Sequence, residues 1–430
     1  MNNLDDLIIK ISKNMLNPDI LLNNLNKDMP NKEPKVSNLS IDLASGIPGL
    51  LYLANELHQN YNISNADTHI DDFISTLLTT LKHTPPYDIS LFAGLPGIAM
   101  ALASLKRKDL SNIIEQLNQS IYQLINYFIN QLNSNFVNQS STFDIMYGLS
   151  GTLHYLCFYT QISKKSNALK YIKKIQDFFI NHYTKNINIA NFELFPWYIS
   201  NKDLSDDLER KNSPFGNYNI SMSHGISGIL LALSESQKIH YSRKVFQLQK
   251  HISNFILKNM TIIDNFPIWP LTLEIDNNYH IKKNQPIARF DSWCYGSPGI
   301  LLALLDFADQ ENYTQLKSFC IKNIISLNNT IVGINSPIVC HGYAGVLMTL
   351  LFTKRKYNLS FSINKNISKK ILSYRDPKLK LGFLDKRYID TQTISLVPDA
   401  GILNGTSGIL LSLMLLNYNS KSNWTKLFAF

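Results

Sequence analysis

Cys294, Cys340 and His341 are the residues of this chain whose types suit a metal ion. Thiolate and imidazole are ligands that zinc takes tetrahedrally, and three protein donors leave a fourth corner for water or substrate. Cys340 and His341 are adjacent, so both can reach one ion only from a loop. A Cys-His-Gly triplet alone is weak evidence. It gains weight because Cys294 occupies the equivalent place in a preceding copy of the same sequence pattern, set against the plain reading of residues packed by accident near helix starts. Two thiolates would leave a Cys₂His zinc site neutral, and an arriving substrate thiolate would make it anionic and electron-rich. A free thiol has a pKa of ~8.5, so complete deprotonation near pH 7 gains only ~2 kcal/mol, whereas positioning thiol and acceptor together is worth roughly 7–11 kcal/mol. The ion would act first as a clamp.

His224 could serve as general acid or base opposite the metal. Asp144, in Phe143-Asp144-Ile145-Met146-Tyr147, could orient it or assist proton transfer; a loop cap is the competing reading. Tyr295 and Arg289 could stabilise negative charge developing on an acceptor carbonyl, although a packed aromatic and a solvated charge explain them as well. Cys157 and Cys320 fall inside helical stretches and read as small core residues.

All of these side chains have to be positioned by a repeat. Gly-x-x-Gly followed by an apolar run begins at Gly46, Gly94, Gly148, Gly225, Gly296, Gly342 and Gly405, at intervals of 46 to 77 residues. Such spacing fits one helical hairpin per copy, with insertions in the longer ones. Runs such as Gly299-Ile300-Leu301-Leu302-Ala303-Leu304-Leu305 have no polar face and must be buried on every side. A Pro or Ser before the second glycine suits a first turn or N-cap, and glycine permits sharp turning and close packing. Between motifs, Ile113, Ile114, Leu117, Ile121, Leu124, Ile125, Phe128 and Leu132 form a helical stripe, and 67–83, 165–182, 242–258 and 311–327 are similarly amphipathic. Because the first and last motifs are as apolar as the middle ones, the pattern predicts a closed α/α toroid of seven inner and seven outer helices, one domain spanning 1–430. Stretches 183–220 and 261–292 read as strand or loop insertions laid over it. The residues just before each first glycine, Ser45, Ala93, Tyr147, His224, Tyr295, His341 and Asn404, would then gather at one mouth.

Composition agrees with a large globular core. The 430 residues are 45% hydrophobic, 17% charged and 11% aromatic, which excludes a mostly disordered chain. The balance of 41 Lys+Arg over 32 Asp+Glu leaves +9, spread along the chain. It suits an acidic peptide, and without a basic stripe interleaved with aromatics it predicts no nucleic-acid partner. Four cysteines are too few for a disulfide scaffold. No signal-peptide core follows Met1, and no apolar run approaches the ~18 residues of a membrane span, so a cytoplasmic protein is expected.

Tyr147-Gly148-Leu149-Ser150-Gly151, Ser223-His224-Gly225-Ile226-Ser227-Gly228, Trp293-Cys294-Tyr295-Gly296 and Cys340-His341-Gly342 together resemble the lanthionine synthetase C-like family, the stand-alone lantibiotic cyclases. The resemblance runs over nearly the whole chain. It implies a toroid holding one zinc on Cys294, Cys340 and His341. It also implies Michael-type addition of peptide cysteine thiols to dehydroalanine or dehydrobutyrine, giving lanthionine or methyllanthionine rings. His224 and Asp144 match the family's acid–base positions, with His224 protonating the enolate carbon after attack or taking the thiol proton before it. Tyr295 matches the position beside the first zinc cysteine. The family's arginine stands four residues before that cysteine, where this chain has Phe290, with Arg289 one step further away. The 183–220 insertion falls where family members carry a β-rich extension.

The implied substrate is a precursor peptide with a leader segment, already dehydrated. With the whole chain taken up by the toroid and its insertions, a separate dehydratase and a membrane transporter are expected partners, with membrane association through that assembly. A relative that adds glutathione to dehydroamino acids would share the zinc and the fold. A non-catalytic scaffold would have no need of an open metal site. A prenyltransferase or terpenoid cyclase would need an Asp-rich diphosphate motif, which this sequence lacks.

Overall fold

The computed structural model describes residues 3–31, 33–61, 63–163, 167–189, 191–283, 285–388, 394–419 and 423–428. Its helices are α1 (Asn3–Ser12), α2 (Pro18–Asp28), α3 (Ile47–Asn60), α4 (Ala66–His83), α5 (Leu95–Ser104) and α6 (Ser111–Ser134). There follow α7 (Ser140–Phe143), α8 (Leu149–Ile162), α9 (Ala168–Tyr183), α10 (Asp207–Asn212), α11 (Ile226–Gln237) and α12 (Arg243–Lys258). The last are α13 (Ser297–Gln310), α14 (Thr314–Ser326), α15 (Tyr343–Lys356), α16 (Lys365–Ser373) and α17 (Thr406–Met414). The strands are β1 (Ile187–Ile189), β2 (Phe192–Leu194), β3 (Asn217–Asn219), β4 (Thr261–Ile263), β5 (Phe266–Ile268), β6 (Thr272–Glu274), β7 (Asp385–Tyr388) and β8 (Ile394–Val397). They pair antiparallel as β1–β2, β3–β6, β4–β5 and β7–β8. Among the described residues no helix is long and apolar enough to cross a membrane.

Each Gly-x-x-Gly motif opens one of α3, α5, α8, α11, α13, α15 and α17. Burial of these helices is near-continuous: in α11 every residue from Ile226 to Ser234 is buried, as an apolar run without a polar face requires. The helices between them bury one stripe only. In α12 the buried residues are Val245, Leu248, Gln249, Ile252, Ser253, Phe255 and Ile256, three or four apart.

Two compact units result. One comprises Asp88–Pro96 and Glu115–Ser326. There α8, α11 and α13 lie side by side, and α9, α12 and α14 each return against the inner helix before them. The β3–β6 ladder ties the two strand-bearing stretches, 183–220 and 261–292, to each other. The short helix α10 within the first of them has no counterpart in the strand pattern of the sequence.

The other unit comprises Met1–Tyr87, Gly97–Ile114 and Leu327–Phe430. Here α17 packs between α15 and α3, so the last repeat stands beside the first. The helix laid against α17 is α1, from the other end of the chain. Asp5 on α1 fastens it, accepting hydrogen bonds from Tyr61 at 2.8 Å and Asn417 at 3.0 Å. The β7–β8 hairpin also belongs to this unit, and no alternation in the sequence announces it.

The loop before each inner helix is a repeated corner with its own hydrogen bonds. Four residues before the first glycine, a side chain accepts from the backbone N–H just ahead of that glycine: Asp42 from Ser45, Asp144 from Tyr147, Ser221 from His224, Ser292 from Tyr295. Neighbouring corners are laced by backbone bonds two residues before the glycine, Ser223 N–H to Cys294 O and Cys340 N–H to Leu403 O. Leu403 N–H donates in turn to Ala44 O, closing the step from the seventh motif to the first. The first-turn serines donate back across the corner, Ser227 to Ile220 O for example. The glycines are required by crowding rather than by conformation. Gly296 has φ −110° and ψ 176°, ordinary extended backbone, but a Cβ there would lie 2.0 Å from Phe290 O.

Candidate functional site

In the unit holding α8, α11 and α13, three corners bring their pre-glycine side chains together. Nδ1 of His224 lies 2.7 Å from Oδ2 of Asp144, whose side chain is fully buried. The other oxygen of Asp144 accepts from the N–H groups of Tyr147, at 2.6 Å, and Gly148, at 2.8 Å. Asp144 is therefore both the loop cap and the partner of His224, the two readings its sequence position allowed. Burial pushes its carboxyl above the usual range, opposed by His224 and by the two N–H donors. The His224 ring is stacked on Tyr147, centroids 5.5 Å apart and planes 18° apart, and tilted against Tyr295 at 5.8 Å. With Nδ1 turned to Asp144, the proton that His224 can exchange is at Nε2.

Burial also pushes the Tyr295 phenol up, only partly offset by a hydrogen bond from the Asn219 side chain, so its O–H stays intact as a donor near neutral pH. Cys294 is buried beside it, with Ser292 Oγ 3.5 Å from its sulfur. A cavity of about 520 Å³ opens at Tyr147, His224 and Tyr295. Ile199, Leu204 and Glu209, from the 183–220 stretch, also line it.

Arg289 is held by Asp291 and Phe266. Its Nε lies 3.0 Å from each carboxylate oxygen of the buried Asp291, and its guanidinium sits 3.8 Å above the Phe266 ring. The arginine read from the sequence as a stabiliser of acceptor charge is thus engaged with a carboxylate and an aromatic face.

In the other unit, Cys340 and His341 stand half-buried on the corner that opens α15. The N–H of Cys340 is held by Leu403 O. Nε2 of His341 lies 3.7 Å from Oδ1 of Asp385, the first residue of β7. Cys294, Cys340 and His341 are a set that could hold a metal ion. Two thiols and one imidazole are the donors zinc selects over harder ions, and three of them leave one position open. The remaining thiols, Cys157 and Cys320, are buried, as core residues would be.

Sequence reasoning passed over Ser292, Asn219, Ser336 and Asp385. Aligning the seven corners would have found the first three, since they sit four or six residues before a first glycine, where all seven copies carry a polar side chain at one or both positions. Asp385 lies outside any repeat position.

Residues 37–429 match the family described as Lanthionine synthetase C-like protein. A protein of Lactococcus lactis subsp. lactis described as "Nisin biosynthesis protein NisC" is 27% identical over 368 residues, covering 80% of this chain and 82% of that protein. A solved structure described as "Nisin cyclase" matches with a TM-score of 0.79 at 23% identity, covering 100% of this chain and 98% of that one. That likeness shows the α/α toroid fold read from the seven motifs. With its family matched over all but the first 36 residues and the last one, the chain belongs to the lanthionine synthetase C-like family.

Proposed function

We propose that this protein is a zinc-dependent lanthionine synthetase that closes thioether rings in a dehydrated precursor peptide. The observation that carries this reading is the donor set Cys294, Cys340 and His341 in a chain of this family. A zinc ion held there would bind the peptide's cysteine thiol in the fourth position and lower its pKa, which keeps it a thiolate at neutral pH.

The chain's own residues supply the rest. Addition of S–H across the dehydroalanine or dehydrobutyrine double bond forms a C–S bond at the β-carbon and returns a proton to the α-carbon. No oxidant or further reactant is required. His224 handles the proton through Nε2, with Asp144 fixing the ring through Nδ1. Tyr147 and Tyr295 both pack against the imidazole, and the intact Tyr295 O–H is a donor available to the acceptor carbonyl as it gains negative charge. The cavity they line is a place for the peptide, with the 183–220 stretch contributing to its lining. The +9 charge suits an acidic leader. A separate dehydratase and a transporter are the partners this reaction calls for, with the protein working on the cytoplasmic side of the membrane.

The test is to incubate purified protein with a dehydrated precursor peptide and count the remaining thiols. Loss of thiols with no change in peptide mass, abolished together with bound zinc in Cys340→Ala, is the expected result. Peptide thiols that persist while added glutathione is taken up, raising the peptide mass by one glutathione per adduct, would assign the chain to small-thiol addition. Thiols that persist with a zinc-loaded protein, with or without glutathione uptake, would refute the cyclase reading.

A further inference from the structure

We infer that Asp385 is the positioning residue of the metal centre: it takes the Nε2–H of His341 and thereby presents Nδ1 to the ion. This rests on the zinc reading above.

The geometry comes from one compact unit. Oδ1 of Asp385 lies 3.7 Å from Nε2 of His341. That oxygen also accepts from Ser336 Oγ at 2.9 Å, and Ser336 lies on the corner that carries Cys340 and His341. The Asp385 side chain is 11% exposed and that of His341 34%, so the carboxylate stands behind the imidazole, away from solvent. Asp385 is fixed from its backbone as well. It opens β7 and pairs with Val397, the last residue of β8, two residues before Asp399 on the corner that opens α17. The hairpin root is therefore clamped between two corners, and the carboxylate position is set by the fold.

The chemistry follows from the two nitrogens of imidazole. A neutral histidine has one N–H donor and one lone pair, and only the lone pair can take a metal. A carboxylate behind Nε2 favours the tautomer with hydrogen there, leaves the Nδ1 lone pair for the ion, makes that lone pair more basic and stops the ring from rotating. Removing such a partner costs typically about 10–100-fold in metal affinity. The assignment also gives the β7–β8 hairpin a function, since otherwise it is an excursion of the chain with no part in the repeat.

The experiment measures zinc affinity by competition with a chromophoric chelator. It is run on the full-length wild type, Asp385→Asn, Asp385→Glu, Ser336→Ala and Cys340→Ala, with the absorption spectrum of the cobalt(II)-substituted forms recorded alongside. Asp385→Asn is expected to lose about 10–100-fold in affinity and to shift the cobalt bands. Asp385→Glu should recover part of the affinity, Ser336→Ala should lose less than Asp385→Asn, and Cys340→Ala should bind no ion stoichiometrically. Thermal unfolding of the metal-free proteins controls for folding, and if Asp385→Asn is unfolded, Asp385→Glu and Ser336→Ala decide. A wild type that binds zinc with affinity and cobalt bands unchanged in the Asp385 and Ser336 variants would overturn this inference alone. A wild type that binds no zinc would overturn the metal reading and this inference with it.

Discussion

Asp144 acts in two directions at once. One oxygen ties down the backbone of Tyr147 and Gly148, and the other holds His224. Asparagine preserves the capping oxygen but not the charge behind the imidazole. Asp144→Asn should therefore fold with nearly unchanged stability and slow ring closure by roughly 10²–10⁴-fold, read from the rate of thiol loss. Asp144→Ala should also lose about 1–3 kcal/mol of stability in a denaturant titration. His224→Asn should keep its zinc and lose or misdirect cyclisation; turnover equal to wild type would remove His224 from the mechanism. Asp399 offers a test with a definite sign. Burial, against the N–H of Gly401 and the hydroxyl of Ser45, pushes its carboxyl up to about 6 from 3.8. Between those values the folded chain keeps a proton that the unfolded chain has released, so this group's contribution falls as pH rises from about 4 to about 6. By neutral pH the loss is on the order of 3 kcal/mol. Asp399→Asn should flatten that slope and raise the unfolding temperature at pH 7.5; a lower one would mean the carboxylate is stabilised there instead.

The repeated corner is the element that turns a sequence motif into a site. Where the residue four before the first glycine is Asp or Ser, its side-chain cap fixes the residue just before the glycine, which is how Tyr147, His224 and Tyr295 come together within one unit. Much of this was legible: the seven helix starts, the buried inner helices and the pre-glycine residues all follow from spacing and apolar runs. What spacing could not reveal was the reason for glycine. At Gly299 a Cβ would stand 2.0 Å from Trp293 O in its own corner and 2.7 Å from the Met222 Cβ, so the constraint comes from the fold of the corner and from its contact with a corner 71 residues away in sequence. Gly299→Ala should cost roughly 1–3 kcal/mol or more, seen as a lower denaturant midpoint at unchanged slope. The destination of Arg289 was equally hidden, because Phe266, which its guanidinium covers, sits on β5, 23 residues earlier in the chain.

At the scale of the whole molecule, the closing step is made by the two ends of the sequence. Periodicity predicts seven outer helices but does not name the last, because the segment that packs on α17 is α1, some 400 residues earlier. Asp5 joins α1 to the ends of α3 and α17 through Tyr61 and Asn417. Asp5→Ala should lower stability by about 1–3 kcal/mol and raise hydrogen exchange in α1 and α17 ahead of α11. The central claim is the zinc site itself, and X-ray absorption at the zinc edge of purified protein addresses it most directly. One zinc per chain is expected, with two sulfur neighbours at about 2.3 Å and nitrogen or oxygen neighbours at about 2.0–2.1 Å, one sulfur disappearing in any residual signal from Cys340→Ala. Protein that carries no zinc, or zinc surrounded by nitrogen and oxygen alone, would contradict it.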